Sequence, residues 1–219
     1  MSIPAPGTGA ISAGEHVCAL YTNHAQRIDT MLPYVSEGLR SGSKCIAFVG
    51  DPTPSELVDG LDADLDPRGR ISSGQLEVGG ADDTFFTPDE FDIDKMLAFW
   101  QARIDQGAAA GFDTVRLTAD AAWWGSQLPA GDALIRYESE LNRLAGGGPQ
   151  SILCLYDLSS ASGSFVLDIL KVHPRVFLGV LEMPNPYYLT PDEFLAMRST
   201  PAANDSRGNA LKLVPDQRT

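Results

Sequence analysis

The sequence lacks the features that mark several large classes of protein. Its 219 residues contain no apolar run near the ~20 residues that a membrane-spanning helix needs. The first 14 residues have neither the basic region nor the apolar core of a signal peptide. Basic residues are scarce: 16 Lys and Arg against 29 Asp and Glu give a net charge of −13, which disfavours binding to nucleic acid or anionic lipid. We therefore expect a soluble cytoplasmic protein with no direct nucleic-acid contact and no membrane association.

Cysteine is also rare in this chain. Cys18, Cys45 and Cys154 lie far apart, and each sits inside an apolar run. An odd and sparse set of cysteines does not form a disulfide framework. The three residues are therefore predicted to be reduced, buried thiols in a reducing compartment.

The motifs that bind nucleotides are missing as well. A P-loop needs glycine-rich backbone amides, a lysine for the phosphates and a Ser or Thr for the metal. Residues 21–27, after the first apolar run, contain none of these in order, and residues 50–54, after the second, include two prolines that remove amides. No Gly-x-Gly-x-x-Gly follows a strand either. We expect no ATP to bind, and the sequence names no other cofactor.

Short apolar runs alternate with amphipathic stretches along most of the chain. This alternation predicts an α/β fold: a mostly parallel sheet flanked by helices on both faces, in a three-layer sandwich. The predicted strands are residues 16–21, 44–49, 76–78, 112–118, 151–157 and 175–181, and the predicted helices are 24–40, 55–61, 92–109, 131–145 and 163–172. Composition predicts a flexible leader at 1–13, a single domain at 14–198 and a disordered polar tail at 199–219.

Several aromatic residues follow the predicted strands, at the edge where open α/β sheets collect ligands. Tyr21, Trp124 and Tyr156 are therefore expected to line an apolar pocket there, with Asp157 at the end of its strand. Other roles stay open for these residues. Asp157 also suits a turn or a helix cap, and Trp124 also suits packing between a helix and the sheet.

His16 and Cys18 lie two residues apart on a strand and therefore share one face of the sheet. A metal site needs three or four convergent ligands, and the other candidate residues are scattered along the sequence. The sequence therefore predicts no metal site, with His16 a buried histidine and Cys18 a core thiol. His173 is expected at the end of a helix, where it would cap carbonyl groups.

Short motifs spread along the chain resemble the MEDS domain, the sensory domain of methanogen and methylotroph regulators of the DcmR type. The resemblance covers about residues 14–195 and rests on segments 16–21, 37–39, 137–138, 153–157, 173–174 and 185–188. It implies a RecA- or KaiC-like core without a working P-loop and the sensing of small hydrocarbon derivatives. It also implies His16, Tyr21, Trp124, Tyr156 and His173 as candidate ligand contacts. Members of this family are often fused to DNA-binding, kinase or anti-sigma modules, whereas only the polar tail follows here.

These observations favour a non-catalytic domain that senses a small apolar or neutral ligand in bacterial signalling or transcription control. Such a domain would act through a protein partner in trans: a kinase, an anti-sigma factor or a transcription regulator. One alternative is an enzyme on the same sheet, a transferase or a degenerate nucleotide hydrolase. Another is a scaffold that binds a signalling protein through its acidic face, since residues 56–94 hold 12 of the 29 acidic residues. A solvated surface that keeps the protein soluble is the simpler explanation of that face.

Overall fold

A seven-stranded sheet forms the centre of the molecule in a computed structural model that describes residues 7–50, 53–80, 91–120, 131–179 and 181–199. The strands are β1 His16–Tyr21, β2 Lys44–Val49, β3 Leu76–Gly80, β4 Val115–Asp120, β5 Gln150–Asp157, β6 Arg175–Leu178 and β7 Leu181–Pro184. Their order in the sheet is β3-β2-β4-β5-β1-β6-β7. All neighbouring pairs are parallel except β6 and β7, which pair antiparallel.

Helices cover both faces of this sheet. They are α1 His24–Arg40, α2 Pro54–Gly60, α3 Pro67–Ser72, α4 Ile93–Ala109, α5 Gly131–Gly146, α6 Gly163–Val172 and α7 Pro191–Ser199. Side chains of α1 and α2 pack into the core on one face, and those of α4 to α7 pack into the core on the other. The predicted three-layer α/β sandwich with a mostly parallel sheet is confirmed. None of the described helices is long and apolar enough to cross a bilayer.

The continuous apolar character of the central strands follows from burial on both faces. In β1, Cys18 and Leu20 belong to the core beneath α4 to α7, whereas Val17, Ala19 and Tyr21 belong to the core beneath α1 and α2. Because side chains alternate across a strand, neighbouring residues serve different cores. This alternation determines which candidate residues can lie in the same site.

The last predicted strand, residues 175–181, is wrong as a single element. The chain turns after β6, where Gly179 has a φ of +58°, and β7 returns antiparallel beside it. A left-handed backbone at this position is readily available to glycine. The fourth strand also begins at Val115 rather than at residue 112.

A helix that the sequence interpretation missed closes the fold. No helix is predicted after residues 163–172, yet α7 forms and buries Phe194 completely. Thr190 and Glu193 form a reciprocal capping box: the Glu193 carboxylate accepts from the Thr190 amide at 2.8 Å, and the Thr190 hydroxyl accepts from the Glu193 amide at 3.4 Å. Thr-Pro-Asp-Glu is a recognisable helix start.

The described part of the predicted leader is packed rather than loose. Thr8 and Ile11 are buried, and the Thr8 hydroxyl donates to the carbonyl of Thr30 in α1. The Arg116 guanidinium in β4 donates to the carbonyl of Gly9 at 3.2 Å. The flexible leader predicted at 1–13 is therefore wrong for residues 8–11. Residues 200–219, most of the predicted tail, lie outside the described residues.

All three cysteines are free and buried, as the sequence predicted. Burial raises the pKa of Cys45 to about 12. Burial also raises the pKa values of Cys18 and Cys154 well above the ordinary value of a thiol. Each thiol is therefore protonated at neutral pH in the fold as it stands.

Candidate functional site

Four residues that can ligate metals or transfer protons meet beneath the sheet, on the face covered by α4 to α7. His16 opens β1, Glu138 lies in α5, Cys154 lies in β5 and His173 follows α6. His16 Nε2 lies 3.4 Å from Cys154 Sγ and 3.3 Å from Glu138 Oε2, and His173 Nε2 lies 3.4 Å from the same carboxylate oxygen. All four residues are buried. We call this set the His–Glu–Cys cluster.

Backbone contacts hold His173 in place within the cluster. Its Nδ1 lies 2.9 Å from the carbonyl oxygen of Ile169, one turn earlier in α6. The Asn185 side chain donates to the carbonyls of Leu170 and His173, at 2.6 and 2.7 Å. Because a carbonyl can only accept a hydrogen bond, this contact holds a proton on Nδ1 and turns Nε2 away from Ile169. The His173 ring therefore directs Nε2 at Glu138.

Burial and mutual charge set the protonation of the cluster. Burial and the neighbouring His173 lower the pKa of His16 to about 4. Burial alone would raise the pKa of Glu138, but the two imidazoles outweigh it and lower the pKa to about 2. At neutral pH the site therefore holds a carboxylate and a neutral His16 ring inside the protein. Keeping a charge there is costly unless it is compensated by partners.

Several polar atoms around the cluster have no hydrogen-bond partner among the described residues. They are Glu138 Oε2, His16 Nδ1, His173 Nε2, Tyr156 Oη and Ser139 Oγ. Buried polar groups of native proteins are nearly always paired, and exceptions concentrate where a ligand, ion or water binds. The Tyr156 ring lies edge-on to His173, with ring centroids 5.7 Å apart.

A small cavity of about 10 Å³ adjoins the cluster, close to the space that one water molecule needs. Its walls are mostly aromatic and aliphatic, and Glu138 and Cys154 contribute the polar side. The lining residues are Trp100, Leu117, Thr118, Ala119, Tyr137, Glu138, Leu141, Ile152 and Cys154. Its lining, apolar with a few convergent polar groups, is like that of small-molecule sites, but the cavity is far smaller than such sites usually are.

A second polar centre lies at the carboxyl ends of β1 and β4, on the opposite face of the sheet. Arg27 Nε forms a buried ion pair with Asp120 Oδ2 at 2.6 Å. The Tyr21 hydroxyl donates to Asp120 at 3.1 Å and accepts from Arg27 Nε at 3.2 Å. Burial raises the pKa of Tyr21 further above the pH range of cells. Arginine, carboxylate and phenol thus bind one another in the interior of the protein.

Comparison with known proteins supplies the family. The sequence model of the MEthanogen/methylotroph, DcmR Sensory domain, MEDS, matches residues 15–174. The chain belongs to the MEDS family. It is 27% identical over 169 residues to the transcriptional repressor DcmR of Methylorubrum extorquens, a match that covers 76% of this chain and 61% of that protein. Since the match spans less than two thirds of that repressor, only a regulatory or sensory role in general is supported.

The MEDS fold resembles that of a KaiC-like protein from Pyrococcus horikoshii OT3. The two structures superimpose with a TM-score of 0.53 over 80% of each chain, at 12% identity. At this identity the likeness establishes the fold alone. The predicted RecA/KaiC-like architecture is confirmed.

The candidate ligand contacts of the MEDS domain divide between the two centres. His16, His173 and Tyr156 come together at the His–Glu–Cys cluster, whereas Tyr21 lies across the sheet. The prediction that Tyr21 and Tyr156 line one pocket is therefore wrong. Trp124, the third aromatic of that pocket, lies outside the described residues.

The structure also differs from the functional prediction at Asp157, at the metal-ligand candidates and at Cys18. Asp157 Oδ1 accepts from the Ser159 amide at 2.8 Å, so Asp157 forms a turn, which was its alternative role. The metal-ligand candidates are scattered along the sequence, yet Cys154 and Glu138 converge with both histidines in the fold. Cys18, the expected neighbour of His16, stays outside the cluster. The spacing of residues in the sequence could not predict that β5 and α5 pack next to His16.

The loop after β1 explains why the MEDS domain should not bind ATP. The Gln26 amide donates to Asn23 Oδ1 at 3.0 Å, and the Thr22 amide donates to Gln26 Oε1 at 2.9 Å. Backbone amides at a helix start that would cradle a phosphate are thus bound internally. Titration with ATP and Mg²⁺ in a calorimeter is expected to give no binding heat. Tight, magnesium-dependent binding would show that this loop rearranges into a phosphate site.

Proposed function

We propose that this MEDS domain senses a small neutral or apolar molecule and passes the signal to a protein partner that controls transcription. The observation that carries the proposal is the buried His–Glu–Cys cluster, with unpaired polar atoms, at the wall of an apolar cavity. A buried charged cluster usually costs stability, and such clusters occur most often at functional sites. The relative named a transcriptional repressor supports the regulatory part.

The size of the cavity limits the ligand. A space of about 10 Å³ holds about one water molecule, so an organic ligand can enter only after the walls move apart. The carboxylate of Glu138 at the wall disfavours anions, as does the net charge of −13. A short alcohol, alkyl halide or ketone meets these conditions. The reduced thiols agree with action in the cytoplasm, where such partners are found.

Thermal denaturation with a panel of short alcohols, alkyl halides and ketones tests the proposal. A ligand at 100 times its Kd stabilises the fold by about 2.7 kcal/mol. For a domain of this size this raises Tm by about 5–10 °C. The Ala119→Leu variant adds more atoms at the lining than the cavity can hold and is expected to lose the shift.

The matched control is Ala102→Leu, which adds the same atoms at an exposed position of α4 and should keep the full shift. Circular dichroism of both variants verifies that they are folded. A panel that never shifts the parent protein, or a shift that Ala119→Leu retains, would contradict binding in this cavity.

A further inference from the structure

The His–Glu–Cys cluster has the composition of a metal centre. Two imidazoles, a carboxylate and a thiol are the side chains that bind Zn²⁺ and related ions. The four ligand atoms all lie within 4.8 Å of one another. Three different elements of the sheet and its helical layer, together with the residue after α6, bring these atoms together. This is more convergence than packing alone requires.

The distances match those of a tetrahedral site. Bonds of about 2.1 Å to nitrogen and oxygen and about 2.3 Å to sulfur place neighbouring ligand atoms about 3.3–3.8 Å apart. Three pairs in the cluster are already separated by 3.3 to 3.4 Å. The remaining pairs lie within 4.8 Å of one another.

The surroundings of His173 match those of a metal ligand. Metal-bound histidines usually hold their second ring nitrogen against a carbonyl or carboxylate, which fixes the tautomer. His173 Nδ1 lies 2.9 Å from the Ile169 carbonyl, while Nε2 faces the cluster without a hydrogen-bond partner among the described residues. Glu138 Oε2 likewise has no hydrogen-bond partner there, although both imidazoles point at it. A cation between these atoms would satisfy all of them.

Charge selects a divalent ion. The Glu138 carboxylate and the thiolate form of Cys154 carry two negative charges, and the two imidazoles are neutral ligands. A divalent ion makes the buried complex neutral overall, whereas other charges would leave a net charge away from water. The proton of the thiol leaves to solvent when the ion binds, as metal binding to cysteine requires.

We propose that His16, Glu138, Cys154 and His173 bind one divalent transition-metal ion, Zn²⁺ first among them, beside the apolar cavity. The presence of sulfur favours Zn²⁺ over Mg²⁺ or Ca²⁺, which bind through oxygen. The ion forms the polar end of the cavity, where Glu138 and Cys154 both contribute to the wall. The metal site does not depend on ligand sensing, and each can be tested without the other.

The full chain is purified, and its metal content is measured by inductively coupled plasma mass spectrometry. The bound metal is then removed with a chelator, and Co²⁺ is titrated in as a spectroscopic probe. We expect one Zn²⁺ per chain as purified. We also expect a sulfur-to-cobalt charge-transfer band, with visible bands of a tetrahedral ion, that saturates at one Co²⁺ per chain.

The matched pair of variants is Cys154→Ser and Cys18→Ser. Both cysteines are buried on the same face of the sheet, but only Cys154 belongs to the cluster. Cys154→Ser should lose the charge-transfer band and weaken Co²⁺ binding by at least about tenfold, whereas Cys18→Ser should keep both. His173→Gln should weaken Co²⁺ binding. Because Cys154 is intact in this variant, the sulfur-to-cobalt band should persist and decrease only in proportion to the fraction of protein that holds Co²⁺.

The parent protein alone can overturn the proposal. Absence of a charge-transfer band on addition of Co²⁺ to the folded chain excludes the site, whether or not any variant folds. An equal band in Cys154→Ser would place the metal elsewhere. A protein that binds Co²⁺ but shows no thermal shift with the small-molecule panel would retain the metal site and reject the proposed sensing.

Discussion

Replacing Arg27 by alanine is expected to lower the free energy of unfolding by about 3–5 kcal/mol, the usual cost of removing one partner of a buried ion pair. Arg27 and Asp120 are 5% and 1% exposed, and their charged atoms lie 2.6 Å apart. Truncation leaves Asp120 in the interior without the guanidinium that now compensates it. For a domain of this size the loss corresponds to a fall in Tm of about 10–15 °C. Urea denaturation followed by circular dichroism measures it.

An exposed ion pair of the same length is the control. Arg40 Nη2 lies 2.6 Å from Asp62 Oδ2, but both side chains are about half exposed. Surface pairs contribute little because water and salt screen them. Arg40→Ala should therefore leave the denaturation curve nearly unchanged. Equal effects of Arg27→Ala and Arg40→Ala would show that burial does not govern the first pair.

A double replacement separates the charge from the packing. Arg27→Met with Asp120→Asn removes both charges and keeps most of the volume, and it is expected to recover a large part of the lost stability. If the double variant is as unstable as Arg27→Ala, the arginine side chain stabilises the fold mainly through its apolar contacts. The guanidinium also lies over the Tyr21 ring, 5.1 Å from its centroid, and both variants lose this cation–π contact.

The second large effect is expected at Gly38, where α1 crosses the sheet. A Cβ atom at this position would lie 2.7 Å from Arg116 Cδ and closer still to Cys45 Sγ. Alanine normally improves a helix by about 1 kcal/mol relative to glycine. The overlap with the buried Cys45 and the partly buried Arg116 outweighs this gain, so Gly38→Ala should destabilise the fold by about 1–3 kcal/mol.

Gly146, the last residue of α5, provides the matched comparison, because a Cβ there meets nothing within 4 Å. Gly146→Ala should be neutral or stabilising under the same denaturation assay. Adding Cys45→Ala to Gly38→Ala removes the nearest clash and is expected to restore part of the stability. Additive losses in that double variant would show that the two side chains do not interfere.

The arrangement of the two centres has a consequence for signalling. The Arg27–Asp120 pair lies beneath α1, and the His–Glu–Cys cluster lies beneath α5 and α6, with β1 between them. Both centres contain residues of β1, His16 at its start and Tyr21 at its end. A ligand or ion that moved β1 would therefore change the positions of residues in both centres, on the two faces of the sheet.

The sequence by itself determined the architecture and most of its local boundaries. Runs of apolar residues buried on both faces identify the central strands, and caps such as Asp92 mark helix starts, because these signals act over a few residues. The family motifs, read in order, also identified His16, Tyr156 and His173, which the structure brings together. The lack of a P-loop was equally visible, since that motif is contiguous in the chain.

Only the tertiary structure decided which of these residues meet. Glu138 and Cys154 reach His16 across more than a hundred positions of sequence, through strand order and helix packing that no local pattern encodes. The alternation of side chains across β1 and β5 placed Tyr21 and Tyr156 on opposite faces, so a pocket inferred from strand ends alone was divided in two. Local preferences determine which segments form helices and strands. The cluster instead depends on long-range packing, because the order of the strands in the sheet differs from their order in the chain.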